Sequence, residues 1–218
     1  MTRIKICGIT NINDAFLATD EGADALGFIF TESPRKISPR KAKEIIDKLP
    51  PFITKVGVFK DEDFLTIKGI MDFCRLDFAQ IHGSKGDKYL SLLYPKVIKV
   101  FEFNDINILM KIKKFSLPFF MLDLPKESKN FSIDLGLVKR AKKFGRIILA
   151  GGLNPENVEE ILEKVSPYGV DVCRGVEEKE GIKSPEKLKK FIERVRKWDI
   201  QKKLKNSEFM EEDLSLKL

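Results

Sequence analysis

Eight short runs of apolar and β-branched residues recur along the chain, each followed by a segment whose apolar residues fall at helical spacing. The strand candidates are Arg3 to Ile9, Ala25 to Phe30, Thr54 to Phe59, Phe78 to Ile81, Val97 to Phe103, Phe119 to Leu124, Ile147 to Ala150 and Val170 to Cys173. The paired helical segments are Ala15 to Glu21, Pro39 to Leu49, Glu62 to Cys74, Lys88 to Leu93, Ile106 to Phe115, Leu135 to Phe144, Glu156 to Val165 and Pro185 to Trp198. Parallel strands need crossover helices, and eight such units close a sheet upon itself. The reading is an α/β chain forming one closed (β/α)8 barrel, the TIM-barrel architecture. A doubly wound open sheet is the alternative.

A chain of 218 residues, 43% hydrophobic, suits one large domain. The barrel is assigned to residues 1–198. Residues 199–218 read as a C-terminal helical extension, because the apolar pattern decays there into Lys202-Lys203-Leu204-Lys205 and then Glu211-Glu212-Asp213. Ser38-Pro39 and Ser184-Pro185 each offer an N-cap followed by proline at the first helical position, which marks where loops end.

Cys7, Cys74 and Cys173 are too few and too widely spaced for a disulfide framework or a clustered zinc motif, so a reducing cytoplasm is expected. The N-terminus lacks a charged-then-apolar signal pattern, and no stretch approaches the roughly eighteen apolar residues of a membrane span. The net charge of +7 is dispersed among Glu and Asp, which describes a solvated surface better than a nucleic-acid site. No nucleic acid or membrane is expected as a partner.

In an eightfold barrel the chemistry lies at the carboxyl ends of the strands. The unusual residues gather at that rim. Cys7 ends the first strand, Ser33-Pro34-Arg35 fills the second loop, Gln80-Ile81-His82-Gly83 ends the fourth strand and Asp123 ends the sixth. Gly151-Gly152 follows the seventh, and Asp171-Val172-Cys173-Arg174-Gly175-Val176-Glu177 runs through the eighth and beyond.

A carboxyl group in a partly dry barrel mouth can hold a proton and serve as a general acid, which is the role open to Asp123. A thiol becomes a base when nearby positive charge favours thiolate, and Lys5, on the same strand face as Cys7, or Arg35 can supply it. His82 is the single histidine, so any histidine relay would have to pass through it. The doubled glycine before a helix start bares backbone N–H groups and, with Gly175, makes a phosphate cradle. Arg35 suits a bidentate grip on a carboxylate.

In this order the motifs resemble those of the phosphoribosylanthranilate isomerase family of tryptophan biosynthesis. The resemblance spans residues 3 to about 196. It rests on Lys5-Ile6-Cys7-Gly8-Ile9-Thr10, Gly27-Phe28-Ile29-Phe30 with Ser33-Pro34-Arg35, Gln80-Ile81-His82-Gly83, Met121-Leu122-Asp123, Leu149 to Pro155, and Gly169-Val170-Asp171-Val172 with Gly175-Val176-Glu177.

The resemblance implies an Amadori rearrangement of N-(5-phosphoribosyl)anthranilate to the 1-amino-1-deoxyribulose phosphate, with no metal or cofactor. Cys7 and Asp123 would be its base and acid. Arg35, His82, Gly151, Gly152, Asp171, Arg174 and Gly175 would bind the phosphorylated anthranilate-ribose substrate, in a monomer or homodimer.

Two loops depart from the family. Pro125 to Phe131 stands where a glycine-threonine-glycine stretch is usual, and Cys173-Arg174 replaces two serines. Arg174 either touches phosphate or points outward. The rival readings are the related aminoaldose-ketose isomerase of histidine biosynthesis, expected to carry a carboxylate at position 7, and a non-catalytic barrel that only binds a phosphorylated metabolite.

Overall fold

The computed structural model describes residues 1–84, 87–103, 107–124 and 134–215, without the side chains of 206 and 208–215. Eight parallel strands close into a barrel in sequence order. They are β1 (Arg3–Cys7), β2 (Ala25–Ile29), β3 (Thr54–Phe59), β4 (Phe78–Ile81), β5 (Val97–Glu102), β6 (Phe119–Asp123), β7 (Arg146–Ala150) and β8 (Gly169–Val172). The helices are α1 (Ile12–Asp20), α2 (Pro39–Ile46), α3 (Phe64–Cys74), α4 (Leu90–Leu93), α5 (Ile108–Phe115), α6 (Leu135–Ala141), α7 (Val158–Val165) and α8 (Pro185–Ser215). The expected (β/α)8 barrel is present, and the open sheet is set aside.

The two-residue period of the strands sorts their side chains. On β1, Ile4 and Ile6 point outward and join the large cluster shared with the helices, which includes Leu26, Phe28, Phe120, Leu122, Leu149 and Val170. Val56, Ile98, Val100, Met121 and Ala150 point inward and form a separate small core inside the barrel. Each strand is thus covered on both faces, so its sequence reads as a nearly continuous apolar run.

Several helices start at a residue whose side chain accepts a first-turn N–H. Asn11, Ser38, Asp63 and Asp134 do this for the amides of Asp14, Lys41, Thr66 and Leu137. Because Asp63 is the cap, α3 begins two residues later than its apolar spacing predicts. α7 also starts late, since Asn154 Oδ1 instead accepts from the amides of Glu156 and Asn157 in a turn before the helix.

α8 runs unbroken through residues 198 and 199. It also ties down the start of β1: Asp199 accepts from the Thr2 amide at 2.8 Å, and Arg196 donates to Thr2 O and to Asp24. One element has no counterpart in the sequence reading, a short hairpin of β9 (Glu177–Lys179) and β10 (Ile182–Lys183) between β8 and α8. The loop at Pro125 to Phe131 lies outside the described residues.

Candidate active site

At the carboxyl ends of the strands lies a cavity of about 220 Å³. Cys7, Arg35, His82, Asp123, Gly151, Gly152, Asp171, Arg174 and Gly175 all line it, so every site residue expected from sequence meets in one place. Ile29, Val58 and Met121 supply apolar wall, and Gln80 and Cys173 add two polar side chains.

Cys7 ends β1, whose closure against β8 sets its surroundings. The register pairs Lys5 with Asp171 and Ile6 with Val172. Lys5, almost fully buried, donates from Nζ to Asp171 Oδ1 at 2.8 Å. Lys5 and Cys7 share the inward face, and both lean toward Gly27 on β2. A methyl group there would lie 2.7 Å from Cys7 Sγ and 2.9 Å from Lys5 Nζ, so this position has room for hydrogen alone.

The Cys7 thiol is drawn down to about 7. A hydrogen bond from the Cys173 thiol does most of this, against the effect of burial, and the Lys5 ammonium adds to it while Asp171 opposes. The Cys173 thiol moves the other way, pushed up by its bond to Cys7 and by burial, so it stays protonated and acts as the donor. Burial works against the charge on Lys5, but Asp171 and Cys7 hold its ammonium above the usual lysine range. Cys7 is therefore a thiol poised to become thiolate near neutrality.

Arg35 is almost fully buried, and Glu177 takes one edge of its guanidinium. Nε and Nη2 donate to the two carboxylate oxygens at 2.7 and 2.6 Å. On the other edge, Nη1 is ion-paired with exposed Glu180 at 3.6 Å. Glu177 also accepts from Lys183 Nζ at 3.0 Å, and the Lys183 side chain is wholly buried. Although burial opposes it, Arg35 and Lys183 hold the Glu177 carboxyl below its ordinary value.

Across the mouth, half-buried Asp123 ends β6 beside the loop after β7, where its register partner is Ala150. Gly151 and Gly152 both adopt left-handed φ values, +91° and +65°. Asn157 Nδ2 donates to Gly152 O at 2.9 Å and its Oδ1 accepts from the Asn154 amide, which fixes the loop. Gly175 presses against Leu153 and Asn154 so closely that a Cβ would overlap the Leu153 carbonyl oxygen, locking the β7 and β8 loops together. Arg174 is exposed at the lip of the cavity. Gln80, almost fully buried, contacts His82 Nε2 from its Nε2 at 2.9 Å, while its Oε1 has no hydrogen-bond partner.

The structure joins residues that motif reading left without roles. Cys173 stands in the sequence as a departure and in the structure as the donor to Cys7. Lys183 lies in an unpatterned charged stretch and carries no sequence signal, while Glu177 could have been found as a buried acid in a rim motif. Among the described residues no group of three metal-ligating side chains forms. What converges on the cavity is a carboxyl group, two thiols, an arginine and a rigid glycine loop.

The family model described as N-(5'phosphoribosyl)anthranilate (PRA) isomerase matches residues 4–194. The N-(5'-phosphoribosyl)anthranilate isomerase of Geotalea uraniireducens is 46% identical over 203 residues, covering 90% of this chain and 99% of the relative. The crystal structure of phosphoribosyl anthranilate isomerase from Thermotoga maritima has a TM-score of 0.83 at 34% identity, with 90% of this chain and 99% of that one covered. A structure of the isomerase in complex with reduced 1-(o-carboxyphenylamino)-1-deoxyribulose 5-phosphate has a TM-score of 0.82, also at 34% identity and with the same coverage. A barrel with this rim, matched over nine tenths of its length, belongs to the N-(5'-phosphoribosyl)anthranilate isomerase family.

Proposed function

We propose that this barrel converts N-(5-phosphoribosyl)anthranilate into 1-(o-carboxyphenylamino)-1-deoxyribulose 5-phosphate, a step of tryptophan biosynthesis, with Asp123 as general acid and Cys7 as general base. Asp123 protonates the furanose ring oxygen, and the ring opens to an iminium. Cys7 thiolate then takes the proton from sugar C2. The enolamine formed tautomerises to the ketone. The iminium makes C2 acidic enough for a thiolate to deprotonate, so the order of acid before base is set by the chemistry.

Arg35 holds the anthranilate carboxylate on the guanidinium edge that Glu177 leaves open. The backbone N–H groups of the Gly151–Gly152 and Gly175 loops receive the phosphate, with Arg174 at the lip. His82 and Asp171 complete the wall around the sugar. The observation that carries the assignment is the Cys7 thiol, held near neutral pH in the cavity that Asp123 also lines. The histidine-pathway alternative loses its ground, since position 7 is a thiol and the family match is to the anthranilate enzyme.

The test follows the loss of anthranilate fluorescence when the protein meets substrate generated in situ. Rapid loss, abolished by Cys7→Ser, supports the reading. A rate at the uncatalysed background overturns it.

A homodimer and a cytoplasmic site of action go with this reading. The amino-terminal face of the barrel bears Phe52, 95% exposed, beside an apolar hollow of about 400 Å³ lined by Phe78, Phe119, Ile148 and Tyr168. A Thermotoga maritima relative is described as dimeric. Among the described residues no helix is long and apolar enough to cross a membrane.

A further inference from the structure

The geometry points to a modification site in the barrel mouth: Cys7 and Cys173 form a dithiol that peroxides convert into a disulfide, silencing the base until a thiol reductant restores it.

Three observations carry it. The β1/β8 register pairs Lys5 with Asp171 and Ile6 with Val172, and Cys7 and Cys173 are the next residue on either side of that seam. Neighbouring strands lie ~4.8 Å apart, within the Cα separation that a disulfide bridges without moving the backbone. The Cys173 sulfur sits beside the residue that follows Cys7, since a methyl group on Gly8 would come within 2.9 Å of it. Cys7 and Cys173 both line the open cavity, so a small oxidant reaches them by the substrate's own route.

The two sulfurs are also unlike each other. Cys7 is readily ionised and is the attacking atom, while Cys173 stays protonated and waits. Lys183 holds the waiting residue in place, with Nζ 3.3 Å from the Cys173 carbonyl oxygen and 4.0 Å from its sulfur. Cys74 lies elsewhere, buried at the end of α3 with its thiol on the Pro39 carbonyl, and takes no part.

The chemistry balances with a hydroperoxide as oxidant. Cys7 thiolate attacks the terminal oxygen, the O–O bond breaks, the sulfur loses two electrons to become a sulfenic acid, and the alkoxide leaves as alcohol after taking a proton. Cys173 sulfur then attacks the Cys7 sulfur and the S–O bond breaks. The departing hydroxide takes the Cys173 proton and leaves as water. The sum is two thiols and one hydroperoxide giving one disulfide, one alcohol and one water.

The consequence for turnover rests on the proposed role of Cys7, whereas bridge formation does not. The full-length protein is therefore treated with excess hydrogen peroxide and followed by thiol titration after denaturation, peptide mass mapping and the fluorescence assay. Titratable thiols are expected to fall from three to one, leaving Cys74, with a peptide joining Cys7 to Cys173 and activity lost and then regained in dithiothreitol. Cys74→Ser should behave like the wild type. Cys173→Ser, with no partner for the sulfenic acid, should be driven to the sulfinic acid and not recover.

Cys7 sulfinic acid in the wild type with Cys173 still free would overturn the proposal, as would full recovery of the Cys173→Ser variant. The wild-type peptide map decides the matter even if that variant does not fold. A bridge that forms in a protein inactive from the start supports the dithiol site and overturns the isomerase reading instead.

Discussion

Lys5 Nζ lies 2.8 Å from Asp171 Oδ1 across the seam between the first and last strands, and the same buried ammonium reaches the Cys7 thiol. One cation therefore answers two acids. Asp171 fixes its position, and its remaining field falls on the sulfur.

This arrangement fixes the pH dependence of turnover. With Cys7 thiolate as the proposed base, kcat/KM should rise with pH along a limb centred about 7 and level off above it. Replacing Lys5 with Met removes a stabilising charge, which moves the limb to higher pH. A shift of one pH unit costs ~tenfold in rate below the limb. A pH profile of the variant checks this, and an unmoved limb would show that the ammonium does not act on Cys7. Stability should fall as well, because Asp171 is left as an unpaired buried carboxylate.

Glu177 orients Arg35 and neutralises Lys183, so Glu177→Gln disturbs two cations at once. Loss of the buried ion pair should cost about 3–5 kcal/mol, read as a lower denaturation midpoint. Arg35, freed to rotate, should raise KM well before it affects kcat, since its proposed partner, the substrate carboxylate, does not react. An unchanged KM would exclude the positioning role.

Gly27→Ala tests the crowding around the sulfur. The added methyl would sit 2.7 Å from Cys7 Sγ, so the thiol must shift from its position between Lys5 and Cys173. Displacement by about 1 Å is expected to lower kcat by ~100-fold. Retention of full kcat in a folded variant would mean that the sulfur's exact placement is immaterial.

Phe52→Ser addresses assembly. Buried aromatic anchors carry much of the energy of an interface, so this change should convert a dimer to a monomer in light scattering while isomerase turnover continues. A mass unaffected by the substitution would remove the amino-terminal face from consideration.

The barrel was readable because strands covered on both faces leave long apolar runs. β3 and β4 match their expected spans residue for residue. The site was readable as a set of rim positions, since a strand's carboxyl end can be located without knowing its neighbours. The pairing of Cys7 with Cys173 was not, as it depends on which strand closes against β1 and in what register. The link among Arg35, Glu177 and Lys183 was hidden for a similar reason. Its lysine sits in Glu177 to Lys183, where charged residues and one glycine give no alternation, and only tertiary contact makes a hairpin of them.

The seam between β1 and β8 has a consequence for the chain as it is made. Cys7 is translated more than 160 residues before Cys173. Until the last strand docks, the sulfur lacks the Cys173 donor that does most to favour its thiolate. Completing the fold is thus what brings Cys7 its hydrogen-bond donor.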